Sequence, residues 1–160
     1  TEDAPLPAIA DVRAVVDDVI ALVVPQKPFR GVELGTDVDM TLRVSLHASK
    51  LTQVLLNLVL NAGAAIASAK REAGRVTIRA RREVSDRIRI EVEDNGPGIA
   101  PSVRDRLFEP FVTTKPIGEG TGLGLAVCRG LIESASGEIG VDSSFDKGAR
   151  FYMVLPSPKD

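Results

Sequence analysis

With 160 residues, the chain is long enough for one domain with a sizeable core, and its 44% apolar and 26% charged residues are an ordinary globular balance. Aromatics reach only 4% with no Trp, so Leu, Val, Ile and Ala must fill that core. A net charge of -2, from 22 acidic and 20 basic residues, excludes the electrostatic footprint of a nucleic-acid binder, and no basic stripe points to a membrane surface.

Residues 1–8 (TEDAPLPA) carry two prolines and no period, and are expected to be a linker remnant before a domain at 9–157 and a short tail at 158–160. Over 9–24, Ile9, Val12, Val15, Val16, Val19, Ile20 and Val23 recur at spacings of three and four, which predicts an amphipathic helix ended by Pro25 and Pro28. Two short extended runs follow, around 32–34 and 41–46. The second helix is the clearest element. Ser49 is its expected cap, and Leu51, Val54, Leu55, Leu58, Val59, Ala62, Ala65, Ile66 and Ala69 form one apolar face to about Glu72, before Gly74. Its interruption by Gln53, Asn57 and Asn61 leaves no run of the ~18 apolar residues that a membrane span needs. No signal peptide opens the chain, so a cytoplasmic location is expected.

Val76, Ile78 and Ala80, then Ile88, Ile90 and Val92, alternate with polar residues and predict two half-buried strands joined near Ser85–Asp86. A Gly/Pro-rich turn (94–102), a short polar helix (102–106) and an aperiodic stretch (108–121) come next. A third helix is expected over 122–134, with the lone Cys128 on its apolar side as a packing residue. Two strands close the chain, at 138–143 and 149–155. So few strand–helix–strand alternations argue against a doubly wound sheet and for a mixed or antiparallel sheet with helices on one face.

Four segments carry chemistry. Gln53, Asn57 and Asn61, spaced by four, project from one side of the long helix. Buried amides need partners, since leaving one unpaired costs roughly 1–3 kcal/mol. They form either a structural network or a site where a carbonyl oxygen helps hold a hard cation such as Mg²⁺. Asp94-Asn95-Gly96-Pro97-Gly98-Ile99 leaves a strand end, where Asp94 either caps its own backbone or accepts from a ligand amino group. The run Phe108-Glu109-Pro110-Phe111-Val112-Thr113-Thr114-Lys115 offers aromatic anchors and a lysine that is either a phosphate contact or an ordinary solvated cation. In Gly118-Glu119-Gly120-Thr121-Gly122-Leu123-Gly124-Leu125, four glycines open a helix whose free N–H groups suit an anion. It is neither a Walker A loop, lacking Gly-Lys-Ser/Thr, nor a dinucleotide fingerprint, lacking a preceding strand.

In this order, the four segments resemble the catalytic and ATP-binding domain of sensor histidine kinases, in the superfamily shared with DNA gyrase B, Hsp90 and MutL. QVLLNLVLNAGAA (53–65) resembles the family's N box, DNGPGI (94–99) its first glycine box, LFEPFVTTK (107–115) its F box and GEGTGLGLAV (118–127) its second glycine box. The resemblance implies an α+β two-layer sandwich of the Bergerat type, with ATP and Mg²⁺ as cofactors. It implies that Asn61 coordinates the metal and Asn57 supports it, that Asp94 takes the adenine amino group, and that Gly96 and Gly98 shape the purine pocket. Ile99, Phe108, Thr113, Thr114, Lys115, Gly120, Thr121, Gly122, Leu123 and Gly124 complete the implied nucleotide-binding set, with Asn57, Asn61 and Lys115 at the chemistry and Thr113–Gly120 as a lid.

Gyrase and Hsp90 relatives place a water-activating glutamate four residues before the metal asparagine; Asn57 stands there, which fits holding ATP for another nucleophile. Many kinases carry a cation and sometimes a Tyr where this chain has Ala64 and Ala65, so either phosphate contacts come from elsewhere, such as Lys70 or Arg71, or nucleotide binding is weak. The only histidine, His47, lies outside any acidic helical box and is read as a surface or structural residue. The phosphoacceptor is therefore expected on a separate dimerising helical hairpin of a larger kinase, soluble or membrane-anchored, with a response regulator downstream. The piece itself is expected to be monomeric, with no nucleic acid or direct membrane contact. Sharing the fold, a serine kinase of the anti-sigma-factor type and a non-catalytic nucleotide sensor are the alternatives.

Overall fold

A computed structural model describes residues 8–69, 73–110 and 124–159. The first strand, β1 (Ala10–Asp11), leads directly into α1 (Val12–Val23), whose N-terminus Asp11 caps by accepting from the Ala14 amide at 3.2 Å. Val12, Val15, Val16, Val19 and Val23 are buried. Ile9, expected in this helix, instead precedes β1 and is 38% exposed. A single 3₁₀ turn over Lys27–Phe29 follows, then β2 (Glu33–Val38) and the two-residue β3 (Arg43–Val44). β3 pairs with β1 and not with the main sheet, a pairing invisible in two-residue segments that carry no period.

Helix α2 (Ala48–Ser68) runs under the sheet, burying Leu51, Val54, Leu55, Leu58, Val59, Ala62, Gly63 and Ile66 against α1, α4 and β5. Its cap position is His47, without a side-chain capping bond, so Ser49 sits inside the first turn. The helix also stops at Ser68, short of the expected Glu72, with Ala69 as its cap at φ -81 and ψ -8, its amide donating to Ala65 O and Ala67 O. Length and a mean hydropathy of 1.5 would suit α2 to a membrane span, contrary to the expectation from sequence, yet its apolar side packs into the protein core.

β4 (Arg75–Glu83) and β5 (Arg87–Asp94) form the expected hairpin, closed by the three residues 84–86, with both Ser85 (φ 62) and Asp86 (φ 56) left-handed. α3 (Pro101–Arg104), α4 (Gly124–Ser134), β6 (Glu138–Val141) and β7 (Ala149–Pro156) complete the chain. The sheet order is β2-β4-β5-β7-β6, parallel only between β2 and β4 and antiparallel elsewhere. Helices cover the face that carries Ile78, Ile90 and Met153. The opposite face carries Arg79, Arg89, Glu91, Glu93, Arg150 and Tyr152. This is the mixed, largely antiparallel two-layer sandwich of the Bergerat type. Cys128 is buried in it, and burial pushes its thiol up to about 11, so it packs and does not react.

Candidate nucleotide site

The site grows from one side of α2. Asn57 and Asn61, one turn apart and partly buried, hydrogen-bond to each other, with Asn61 Nδ2 donating to Asn57 Oδ1 at 3.3 Å. This bond turns the Asn61 carbonyl oxygen away from Asn57. Gln53, one turn earlier, is exposed. Gly124, the first residue of α4, lies against Asn57: a Cβ there would sit 2.5 Å from Asn57 Nδ2. A larger residue at 124 would have to displace the Asn57 amide from this position.

One turn beyond Asn61, the Asp94 turn meets the same helix. A Cβ on Gly96 would lie 3.5 Å from the carbonyl carbon of Ala65. Asp94 is buried, 4% exposed, at the last position of β5. Its Oδ1 accepts from the Gly96 amide at 2.8 Å and from the Ala149 amide at 3.4 Å. Burial raises its pKa; the two amide hydrogen bonds lower it in part, and the neighbouring Glu93 charge adds to the rise. Holding a carboxylate here therefore costs stability. The neighbouring Asn95 serves the backbone instead. Its side chain joins Ala73 O and the Arg75 amide, stitching the turn to the start of β4.

Sequence reasoning missed Gly148 and Ala149, whose backbones close this pocket. A Cβ on Gly148, which has φ +148, would collide with the Asp94 carbonyl oxygen, and one on Gly98 (φ +80) would lie 3.1 Å from Gly148 O. The signal available was a lone glycine directly before the last strand. Arg104 was also missed: its Nη2 donates to Ile99 O at 3.3 Å, while its buried Nε has no partner among the described residues. Ile99 and Phe108 are partly buried against the core, and Phe108 meets Phe151 edge-on at 6.2 Å. Phe108 thus anchors the chain where it leaves the described residues.

The structure brings Asn57, Asn61, Asp94, Gly96, Gly98 and Gly124 to one end of the sandwich. Thr113, Thr114, Lys115, Gly120, Thr121, Gly122 and Leu123, together with Lys70 and Arg71, lie outside the described residues. Among the described residues no group of three or more His, Cys, Asp or Glu could hold a metal. A cation here would rest on amide oxygen, phosphates and water, the habit of Mg²⁺ rather than of zinc.

Residues 47–159 match the family model of histidine kinase-, DNA gyrase B- and HSP90-like ATPases. The chain belongs to that family. Within it, the chain is 44% identical over 128 residues to the sensor histidine kinase ZraS of Salmonella typhi, covering 79% of this chain and 26% of that protein. It is 41% identical over 124 residues to the alginate biosynthesis sensor protein KinB of Pseudomonas aeruginosa, covering 78% of this chain and 20% of the relative. The chain thus spans about a quarter of the length of such relatives, or less. Among solved structures it superposes on the catalytic domain of the histidine kinase ThkA with a TM-score of 0.79 at 28% identity, covering 95% of this chain and 96% of that one. It also matches full-length ShkA in complex with AMPPNP, with a TM-score of 0.81 at 31% identity, covering all of this chain and 33% of ShkA. Family membership and fold class therefore stand as the four motifs implied, and the likeness runs to the ATP-binding domains of sensor histidine kinases.

Proposed function

We propose that this chain holds Mg-ATP between α2, the Asp94 turn and the start of α4. From there it supplies the γ-phosphoryl group to a histidine on a separate dimerising helical hairpin, with a response regulator downstream. The observation that carries this reading is the meeting of three separate segments on α2: the Asn57–Asn61 pair, Gly96 against Ala65, and Gly124 against Asn57. Asp94 takes the adenine amino group, which replaces the water lost on burial. Gly96, Gly98 and Ile99 bound the purine, with Phe108 beside them. The Asn61 carbonyl oxygen helps hold Mg²⁺, which neutralises phosphate charge when bound, and Asn57 orients Asn61. Lys115 and the amides of Gly120, Thr121, Gly122, Leu123 and Gly124 join the phosphate contacts on sequence grounds, with Thr113 and Thr114 in the lid.

Asn57 is a poor base, so no side chain at that position activates water. Catalysis here is positioning and charge stabilisation of a group passed to another nucleophile. The domain spans 9–157 after a linker ending at residue 8, with a tail at 158–160, and works in the cytoplasm.

Calorimetric titration with ATP and a non-hydrolysable analogue, with and without Mg²⁺, on the parent, Asp94→Ala and Asn61→Ala tests the site. Binding should weaken in Asp94→Ala, and the Mg²⁺-dependent part should vanish in Asn61→Ala. Mixing the ATP-loaded chain with its matching hairpin should then yield an acid-labile phosphohistidine. An acid-stable phosphoserine on a partner would replace this reading with the serine-kinase one. Binding without any transfer would replace it with a nucleotide sensor.

A further inference from the structure

Behind Asp94, on the opposite face of the sheet, one guanidinium gathers three elements. Arg150 donates to Glu93 Oε1 from Nε at 2.9 Å and from Nη2 at 2.7 Å, and to Asp142 Oδ2 from Nη1 at 3.0 Å. Its Cζ lies 4.3 Å from the centroid of the Phe145 ring. Glu93 takes a further bond from Arg79 Nη1 at 2.8 Å, joining β4 to the cluster. Asp142 in turn accepts from the amide and hydroxyl of Ser144 at 3.0 and 2.6 Å, so the connection between β6 and β7 is tied to the same cation. Burial alone would push the Glu93 carboxyl up, but the bonds from Arg150 and Arg79 outweigh it and hold it below the ordinary range.

The position of this cluster gives it a role beyond ion pairing. Glu93 and Arg150 are register partners, and the next pair along is Asp94 and Ala149. The cluster therefore fixes β5 against β7 one residue from the Ala149 amide that bonds Asp94. The connection it secures ends in Gly148, which is wedged against the Asp94 carbonyl and faces Gly98. Both walls of the Asp94 turn are thus located from the far side of the sheet.

We propose that Arg150 is a positioning residue for adenine recognition, holding the Gly148–Ala149 backbone against the Asp94 turn by way of Glu93, Asp142 and Phe145. The nucleotide half of this proposal rests on the function proposed above; the backbone half does not. Arg150 touches no ligand and acts through Asp94, so its loss should affect the purine end of the site and spare the phosphate end.

The test uses the 160-residue chain with Arg150→Met, Arg150→Lys and Glu93→Gln, reading hydrogen exchange at the Gly96 and Ala149 amides and affinity for Mg-ATP, adenosine and Mg-tripolyphosphate. Arg150→Met should speed exchange at both amides at least tenfold beyond any change in global stability. It should weaken ATP and adenosine by a common factor of about ten, with tripolyphosphate unchanged. Arg150→Lys, which keeps a charge but loses the fork, should fall between. If Arg150→Met fails to fold, Glu93→Gln and Arg150→Lys give the same readings at smaller amplitude. Equal losses for adenosine and tripolyphosphate, or amide exchange and adenosine affinity within twofold of the parent, would overturn the proposal. A parent chain that bound no nucleotide would remove the proposed function, and amide exchange would still decide the backbone half.

Discussion

Two adjacent carboxylates on β5 meet opposite fates. Glu93 faces outward, its side chain 17% exposed, and takes bonds from two guanidinium groups that hold it ionised. Asp94 faces inward, 4% exposed, with the Gly96 and Ala149 amides as its partners among the described residues and a pKa raised by burial. A protein that needed only structure could have placed an amide or an apolar residue at position 94 and gained stability. The difference separates a charge kept because it is well solvated by the protein from one kept despite its surroundings. The second kind is the behaviour expected of a group that a ligand completes, which is the role proposed for Asp94.

The largest test of that contrast removes the wall behind Asp94. Gly148→Ala demands both a rare backbone geometry for an L-residue and room where the Asp94 carbonyl already stands. We expect a loss of roughly 3 kcal/mol or more in denaturant-monitored stability, and loss of ATP binding in whatever remains folded. A variant as stable as the parent would mean that β7 can shift away from the turn at little cost.

Asp94→Asn comes next and should separate binding from stability. The amide keeps an acceptor for Gly96 and Ala149 while removing the buried charge. ATP affinity should fall roughly tenfold to hundredfold, as expected for losing a charge-assisted hydrogen bond, with the unfolding midpoint unchanged or raised. A midpoint that dropped in step with affinity would make Asp94 a structural residue like Glu93.

Acidification sharpens the same pair. The folded-state pKa of Asp94 lies above its ordinary 3.8, so the folded chain binds that proton more tightly than the unfolded one. As pH falls through the raised value, this group adds stability while the acceptor proposed for adenine is lost. Asp142, on the outer face, is held down to about 2 by the Ser144 hydroxyl and Arg150, with the Ser144 amide assisting. Its contribution to stability is fully present above 3.8 and is lost as pH falls through about 2. Affinity should therefore decline with acid before the outer cluster fails. Subtracting the Asp94→Asn profile from that of the parent, in both titration and unfolding, isolates the inner group.

Legibility in the sequence followed range. The amide ladder of α2 and the β4–β5 hairpin were readable because helical spacing and strand alternation are written within a few residues of each other. Cap details were not: Ser49 is a good capping type, but the chain turns earlier, at His47. Motif order pointed to the site as a whole, since the glycines at 96, 98 and 124 mark places where backbone must come close. What each glycine approaches was hidden. Ala65, Gly148 and Asn57 are tens of residues away from their partners, and only packing joins them. Arg150 carried no signal in the sequence, because a hub of ion pairs has no local period.

The smallest expected effect supplies the control for the outer cluster. Arg13 and Asp17 form an i,i+4 pair on α1 at 3.3 Å, with side chains 37% and 57% exposed. Screened by water and free to move, such a pair contributes at most about 0.5 kcal/mol. Arg13→Ala should therefore leave both the unfolding midpoint and ATP affinity within error at physiological salt. The Arg150 cluster differs in three respects: its side chains are 25% exposed or less at Arg150, Glu93 and Asp142, its fork is engaged on both sides, and it bridges strands instead of turns of one helix. If Arg13→Ala and Arg150→Met proved equally silent, ion pairing on this protein would be decoration at either place. A silent Arg13→Ala beside a disabling Arg150→Met would show that location, and not the count of ion pairs, is what couples the outer face to the Asp94 turn.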